Sequence, residues 1–497
     1  MNADYERPWA NRWLFVFYLA LLVWVPIPLG SNRPWAWAIL ELWVFALAIW
    51  WLLDFARGKT QPSQALKGAR PALLCASLWL GYVWLQLLPL PPGLLQALSP
   101  EAARAHAAAA WPVATSAAPL TLDQSGTLGG ALKSAAYVAF FALSLALLDR
   151  PARIAVAAYT LVISGFAQAM YAGLSALSEG GASAHGSFAN RDHLAGYLVM
   201  CLSLGLGLLI SNLTGEVSRS WKQFFRNIIA WILSPRMLLR LALVVMVTAL
   251  VLTHSRMGNT SFFVSLLVAG AIGLLLAKRA TKSMVVLIAS LIVIDIFIVG
   301  AYFGVQRVLD RIEQTTMQAE DRDEIAIDAL RMWKDYPVFG SGLGSFQVVF
   351  PRYSQQDLGV LYTHAHNDYL QLAAETGVVG ITLLGLLVFT SLLAALRAQI
   401  MRHDPLMRAI SFAAMMAIIA LGMHSAVDFN LQIPANALTF MLLLAFAWIS
   451  LYHRYDGEAQ AEPGSRRAGV SDRGIGSGPN QSSRRGSRYR SRGRPSR

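Results

Sequence analysis

The chain has 497 residues, of which 56% are hydrophobic and 14% are charged, and its formal net charge is +13. Soluble globular domains carry roughly 25% charged residues, so this composition excludes an ordinary soluble protein and indicates a polytopic membrane protein. The two cysteines, Cys75 and Cys201, lie in apolar runs and predict neither a disulfide framework nor a cysteine metal site.

Apolar runs long enough to cross a bilayer recur along the chain. A transmembrane helix needs about 20 apolar residues, and runs of this kind predict an all-α protein with about twelve spans. The first run has no small-residue cleavage site, so we expect it to be retained as a span. The runs lie at about 13–30, 35–55, 72–90, 132–149, 153–176, 192–213, 237–254, 259–277, 283–303, 373–396, 408–427 and 435–453.

Lys and Arg residues concentrate in alternate loops, and this bias predicts the orientation of the chain. Cytoplasmic loops carry an excess of these residues, so the basic loops and both termini are expected on the cytoplasmic side. The other loops then face outward, and the longest of them joins spans nine and ten. The outward-facing loops lie at about 91–131, 177–191 and 304–372.

Residues 454–497 differ in composition from the transmembrane domain predicted at 1–453. They are rich in Gly, Ser, Pro and Arg, and such a segment cannot bury a core and is expected to be disordered. We interpret it as a basic cytoplasmic tail solvated near anionic lipids, with RNA or partner binding as the alternative. Because the tail holds much of the positive charge, the net charge does not indicate a nucleic-acid partner.

The longest outer loop contains one predicted helix. Ile325, Ala329, Leu330 and Trp333 recur at helical spacing and predict an amphipathic helix over 321–335. A turn-rich segment follows, because a proline and three glycines break the helical pattern; they are Pro337, Gly340, Gly342 and Gly344. No internal repeat of the kind that marks many transporters is visible.

Arginines are few on the predicted outer face. Arg191 stands at the entry to span six, and Arg256 lies in the short polar stretch THSRMGN between spans seven and eight. The guanidinium group is always charged and binds phosphate oxygens in a bidentate manner, so these arginines are candidate phosphate ligands. The alternative is that they pair with lipid headgroups. The long loop adds further candidates, Arg307, Arg311, Arg322, Arg331 and Arg352.

The stretch THAHNDYLQLAAETGVVG, at 363–380, carries a polar cluster directly before span ten. His366 is a candidate general base, because histidine titrates near neutral pH. Asn367, Asp368 and Glu375 could orient it. His364 and His366 also form an H-x-H pair that could bind zinc, but two ligands make a poor site, and we expect no metal.

His424 and Asp428 form a second polar pair near the predicted outer end of span eleven. Their spacing of four residues predicts that both lie on one helix face. Ionisable groups at membrane depth are functional candidates, and the alternative is a structural pair that locks this helix to its neighbours.

Several of these motifs together resemble the O-antigen ligase and Wzy-type polymerase superfamily. The family pattern of H-N, nine residues and G-x-x-G is met by His366, Asn367, Gly377 and Gly380. WKDYPVFGSGLGSF at 333–346, GSFANRDHLAGY at 186–197 and THSRMG are similar to three further family motifs. The resemblance covers about 185–395, and over the first third of the chain it rests on the number of spans.

The resemblance implies a metal-independent, inverting glycosyltransferase of the GT-C type with no cofactor. It implies transfer of a glycan from a polyprenyl-diphosphate carrier on the outer face of the bacterial inner membrane, and we expect an O-antigen ligase with lipid A–core as acceptor. Arg191 and Arg256 would hold the diphosphate with Arg322 as a third candidate, and His366 would activate the acceptor hydroxyl. His193 and Met257 depart from the family pattern, and neither is expected to touch the chemistry.

Other functions remain open at this point. A polymerase that joins carrier-linked repeat units would share the same motifs, and a protein-glycosylating ligase is a further variant. A flippase or other transporter would have polar residues along its spans and internal pseudo-symmetry, whereas here the polar residues concentrate in the outer loops. A structural component of a glycan-export complex is the last alternative.

Overall fold

A computed structural model describes residues 11–109, 117–178, 183–211, 235–276, 324–354 and 362–453. Within these residues the chain forms helices and short turns, with no strand beyond an isolated bridge between Leu90 and Ala118. The predicted all-α class is therefore confirmed. The predicted tail at 454–497 lies outside the described residues.

Sixteen helices make up the described parts of the chain. They are α1 Arg12–Trp24, α2 Pro34–Ala56, α3 Gln64–Gly68, α4 Arg70–Gln86, α5 Pro92–Leu98, α6 Pro100–Ala109, α7 Gln124–Leu147, α8 Pro151–Ser178, α9 Arg191–Ser211, α10 Pro235–Leu252, α11 Arg256–Leu276, α12 324–335, α13 Phe346–Val349, α14 Asp368–Met401, α15 Pro405–His424 and α16 Pro434–Tyr452. Single 3-10 turns lie at Leu29–Ser31, Phe350–Arg352 and Asn430–Gln432.

Eight of the described helices are long and apolar enough to cross a membrane: α2, α7, α8, α9, α11, α14, α15 and α16. The apolar helices α1 and α10 are shorter, and α4, with 17 residues, occupies the third predicted span. Every predicted span that lies in the described residues falls on a helix, whereas the ninth, at 283–303, lies outside them. The polytopic class is confirmed, and the number twelve stays a prediction.

Helix α9 forms the centre of the bundle. Every residue from His193 to Leu209 is buried, and α9 packs against α8, α10, α11, α15 and α16. Small residues let helix backbones approach closely inside a membrane. Gly207 shows this directly, because a methyl group there would overlap the backbone of Ala409 in α15.

The segments between helices gather at the two ends of the bundle. At one end, Ser63 donates to the carbonyl of Leu145, and Arg402 Nε donates to the carbonyl of Leu451 at 3.0 Å. At the other end, the backbone N–H of Ala184 donates to the carbonyl of Leu252. The polar motifs singled out in the sequence lie at this second end.

Loop segments at the second end share a hydrophobic core of their own. Its buried members come from α5, α6 and α12 and from the segments around them, and they include Leu95, Ala102, Leu120, Ile325, Met332, Tyr336, Phe346 and Ala365. The helix predicted at 321–335 is confirmed over 324–335, with Ile325 and Ala329 on its buried face. We call this second core and its segments the cap. The loop predicted at about 91–131 supplies part of it.

Candidate functional site

Helix α14 is broken at Gly377, nine residues after its first residue Asp368. Gly377 interrupts the helix with φ 62° and ψ −169°, a conformation essentially restricted to glycine. The carbonyls freed by the break accept bonds from elsewhere: Ala374 from the N–H of Ser341, and Glu375 from the N–H of Gly342. The Tyr82 hydroxyl donates to the carbonyl of Thr376 at 2.7 Å. Residues 337–346, which we call the glycine-rich loop, and Tyr82 therefore supply the donors for the carbonyls at the break. These carbonyls are not left open to a ligand.

Glu375 lies beneath this loop and holds it. Its Oε2 accepts from the N–H of Gly344 at 2.9 Å, and its Oε1 accepts from the N–H of Phe346 at 3.3 Å and from Gln371 Nε2 at 3.1 Å. The sequence predicted that Glu375 could orient His366. The described contacts of the Glu375 carboxylate are instead with the glycine-rich loop and Gln371.

The segment before α14 carries the two histidines of the H-x-H pair. Gln371 Oε1 accepts from the N–H of Ala365 at 3.1 Å and lies 3.3 Å from His364 Nδ1. Burial lowers the pKa of His364 to about 4, so this ring is neutral near pH 7. The Asn367 side chain caps α14 by accepting from the N–H of Leu370, as expected for an N-cap residue.

His366 stands in a strained position at the mouth of the site. Its φ is 48°, the left-handed region that non-glycine residues rarely occupy and that clusters at functional sites. Its side chain is 25% exposed, and Nδ1 lies 3.9 Å from Asp428 Oδ1. The ring meets the Phe429 ring edge to face, with 4.9 Å between centroids.

Asp428 and Phe429 gather the histidines of the site. The Asp428 side chain is 3% exposed, and its Oδ2 lies 3.8 Å from His193 Nε2 and 3.9 Å from His424 Nε2. These distances are electrostatic contacts and not hydrogen bonds. Asn430 Nδ2 donates to the same Oδ2 at 3.2 Å. The His364 ring stacks on Phe429 with 4.3 Å between centroids.

One expectation needs correction here. His424 and Asp428 were predicted to share one helix face, but α15 ends at His424, and Asp428 lies in the turn that follows. The two side chains still meet, because this turn folds back over the helix end. That His193 does not touch the chemistry stays a prediction; its ring contacts Asp428 and meets Phe429 edge to face at 4.6 Å.

Asp368 fixes the turn that carries Asp428. Its N–H donates to the carbonyls of Ser425 and Asp428, and its Oδ2 accepts from the N–H of Leu431 at 3.0 Å. The side chain is fully buried. The first residue of α14 therefore ties the His366 segment to the Asp428 turn.

Arg191 and Arg256 occupy equivalent places at the same end of the bundle. Each is the first residue of its helix, α9 and α11 respectively. The two helices touch just beyond, where a methyl group on Gly258 would lie 2.6 Å from the Ala195 side chain. Helix N-termini attract anions through free N–H groups and the helix dipole. Each arginine therefore adds a positive charge at a position that already favours an anion.

A polar segment lies beside Arg191. Arg191 donates to Ser183 Oγ at 3.0 Å, and the same Oγ lies 3.2 Å from His254 Nδ1. His254 stands two residues before Arg256 and has φ 56°. The sequence brought these residues forward as separate motifs, and the structure joins the Arg191 motif to the Arg256 motif.

The loop arginines give a mixed outcome. Arg322, the third predicted phosphate ligand, lies outside the described residues, as do Arg307 and Arg311. Arg331 pairs with Asp328 at 2.6 Å. Within the parts of the chain that the structure describes, no three or more His, Cys, Asp or Glu side chains are grouped so that they could hold a metal ion.

Sequence reasoning missed the residues that join these motifs. Phe429 contacts three histidine rings, and Gln371 links His364 to Glu375. The sequence signal was the run DFNLQIPAN at 428–436, which begins at Asp428, the second residue of the His424 pair. A run of this kind also fits an ordinary turn, and only the fold places it against His193 and His366.

Part of the chain matches the model of a known protein family. Residues 241–385 match the family model described as O-Antigen ligase. The matched range contains Arg256, the glycine-rich loop, His366 and the break at Gly377, and it stops before Asp428. No curated protein matches the chain.

Proposed function

We propose, from the match of residues 241–385 to the O-Antigen ligase family model, that this chain belongs to the O-antigen ligase and Wzy-type polymerase superfamily and transfers a glycan from a polyprenyl-diphosphate carrier to an acceptor hydroxyl. The single observation that carries the proposal is the position of His366. It is partly exposed and lies beside the buried Asp428 carboxylate and the Phe429 ring, at the same end of the bundle as Arg191 and Arg256.

His366 acts as the general base in the proposed reaction. The acceptor hydroxyl gives its proton to Nε2 of His366, and the acceptor oxygen attacks the anomeric carbon of the donor glycan. Asp428 Oδ1, 3.9 Å from Nδ1, favours the imidazolium that forms, because an opposite charge nearby stabilises the charged state. General-base catalysis of this type contributes about 10²–10⁴-fold in rate.

Arg191 and Arg256 stabilise the leaving group. As the glycosidic bond breaks, negative charge grows on the carrier diphosphate, which leaves without needing a proton. Fixed positive charge placed where charge develops lowers the barrier, and two arginines at helix N-termini supply it without a metal. A single displacement of this kind inverts the configuration at the anomeric carbon.

The proposed side of the membrane is the periplasmic side of the bacterial inner membrane. The Lys and Arg bias of the loops supports this orientation, with the termini in the cytoplasm and the His366 end outward. A lipid carrier needs its diphosphate at the level of the headgroups, and both arginines lie at helix ends, where such a group would stand.

The break in α14 bears on the transporter alternative. Broken helices line substrate sites in many transporters, where free backbone groups bind the cargo. In this chain the carbonyls at the break already accept bonds from Ser341, Gly342 and Tyr82. The break therefore serves to anchor the glycine-rich loop, and we favour the transferase.

Replacement of His366 by alanine tests the proposal. The purified full-length protein in lipid nanodiscs is given a radiolabelled carrier-linked glycan and an acceptor, and transfer and donor binding are measured separately. We expect turnover to fall at least about 100-fold, with donor affinity within threefold of wild type. His106→Ala is the control, because His106 contacts the carbonyl of Thr121 in the first loop. Unchanged turnover in His366→Ala would refute the assignment.

The acceptor distinguishes two versions of the reaction. We propose the ligase version, in which lipid A–core accepts the glycan, and the polymerase version joins carrier-linked repeat units. In a strain lacking this protein, the ligase predicts complete carrier-linked chains and no polymer on lipid A–core. A product limited to single repeats would identify a polymerase instead.

A further inference from the structure

We propose that His193 is a positioning residue that fixes His366 relative to the arginine-bearing end of α9. It acts through Asp428 and Phe429, and the inference rests on the transferase function proposed above. Nothing in the sequence motifs assigns a role to this histidine, which stands two residues after Arg191 in the first turn of α9.

A closed set of contacts surrounds His193. Its ring reaches Asp428 Oδ2 at 3.8 Å, and Asn430 Nδ2 donates to the same oxygen at 3.2 Å. Asn436 Nδ2 donates to Asn430 Oδ1 at 2.9 Å and to the backbone carbonyl of His193 at 2.9 Å. The contacts run from the His193 ring through Asp428, Asn430 and Asn436 to the His193 carbonyl. His193 therefore contacts this turn with its ring and is bonded to it through its backbone.

The two carboxylate oxygens of Asp428 divide between the two sides of the site. Oδ1 faces His366, whereas Oδ2 faces His193, His424 and Asn430. A carboxylate held at Oδ2 cannot rotate without losing those contacts, so the oxygen presented to His366 keeps its place. The side chains of Asp428 and His193 are 3% and 4% exposed, and little water is available to replace the contacts.

Phe429 forms a second route between the same two histidines. His193 and His366 both meet its ring edge to face, at 4.6 Å and 4.9 Å between centroids. Edge-to-face pairs prefer a defined geometry. One aromatic ring therefore contacts both imidazoles, and the Asp428 carboxylate contacts them as well.

The reaction gives a reason for this arrangement. The diphosphate would be held at Arg191, and the hydroxyl would be activated by His366, so the distance between these groups decides whether the oxygen can reach the anomeric carbon. A misplacement of about 1 Å can cost about 100-fold in rate. Arg191 and His193 share the first turn of α9, which makes His193 a short, rigid connection from the donor site to the base.

Paired substitutions separate the polar and the packing roles of His193. His193→Phe keeps a ring against Phe429 and removes Nε2, whereas His193→Gln keeps a polar group that can reach Asp428 and removes the ring. Transfer is measured with a carrier-linked glycan in nanodiscs, and kcat and KM for the donor are determined separately. We expect His193→Phe to lower kcat about 10- to 100-fold with KM within threefold, and His193→Gln to recover part of kcat.

A double-mutant cycle tests whether His193 acts through Asp428. Asp428→Asn lowers kcat by itself, and His193→Phe added to it should lower kcat by less than a further threefold, because the shared contact is already lost. His185→Phe is the matched control from the segment just before α9; its ring contacts the carbonyl of Gly186, and the variant should keep wild-type kcat. Thermal unfolding of each variant in detergent checks folding.

Two outcomes would overturn the inference. His193→Phe with wild-type kcat, or losses of kcat in the two variants that multiply fully in the double mutant, would show that His193 does not position His366. Both outcomes leave the proposed function standing if His366→Ala remains inactive. If wild type and all variants transfer no glycan to any acceptor, the proposed function fails instead.

Discussion

Replacing Gly377 by alanine should destabilise the protein by about 3–5 kcal/mol, because the break in α14 admits only glycine. The residue has φ 62° and ψ −169°, and holding a non-glycine residue in such a region costs about 1–3 kcal/mol. A methyl group there would also overlap the carbonyl of Val338 and the N–H of Phe339.

The overlap cannot be relieved cheaply. Val378 N–H donates to the carbonyl of Pro337 at 2.9 Å, and Val379 N–H donates to that of Val338 at 3.2 Å. Moving the loop away loses both bonds, at about 1 kcal/mol each. The two hydrogen bonds and the backbone strain together give the figure of about 3–5 kcal/mol.

Thermal unfolding of the purified protein in detergent measures the effect, and glycan transfer is followed on the same samples. Gly385→Ala is the matched control, because Gly385 lies in the same helix and an added methyl group meets nothing within 4 Å. The control should be neutral or stabilising by up to about 1 kcal/mol. A Gly377→Ala protein as stable as the control would refute the account of the break.

Three further predictions concern the surroundings of the site. The lowered pKa of His364 means that the unfolded chain takes up a proton first, so stability should fall as the pH drops from about 6.5 towards about 4; His364→Gln should flatten this part of a pH series of unfolding temperatures. Gln86→Leu leaves the N–H of Leu343 without its acceptor and should cost about 1–3 kcal/mol in detergent unfolding, whereas wild-type stability would contradict the contact. Arg256→Ala should lower kcat/KM for the donor about 10- to 100-fold, since charged hydrogen bonds contribute about 1.5–3 kcal/mol, and an unchanged value in a donor titration would remove Arg256 from the phosphate site.

Much of the fold was predictable from the sequence because membrane helices are recognisable by the length and apolarity of their sequence runs. The described helices that are long and apolar enough to cross a membrane fall where the apolar runs are, including the broken helix that begins at Asp368. The ends were harder to predict. The first run was expected to reach 30, but α1 ends at Trp24, before the prolines at 26 and 28 that cannot continue it.

The cap at the site end was only partly predictable. Helical spacing predicted α12 correctly, because Ile325 and Ala329 face one side. Its partners in the loop at about 91–131 could not be predicted, since no local pattern indicates which distant segment covers an apolar face. Leu95 and Ile325 belong to one core although more than 200 residues separate them in the sequence.

The site divides in the same way. Motif chemistry brought His366, Arg191 and Arg256 forward because titratable and charged groups are rare in such a chain. The same reasoning set His193 aside, and it treated His424 and Asp428 as a pair within one helix. The structure corrects the second point, since α15 ends at His424, and it shows that the next turn folds back to meet His193 in α9.

The sequence by itself determined that this protein is a bundle of apolar helices with polar motifs in its loops, because hydrophobic length and residue chemistry are local properties. Only the tertiary structure decided that Asp428 and Phe429 contact both His193 and His366, and that the glycine-rich loop bonds to the carbonyls at the break in α14. Contacts of this kind join residues far apart in the chain, and they depend on how whole helices pack and where each one ends. The stretch around His366 supplies the proposed base, whereas the fold supplies the carboxylate and the ring that contact it.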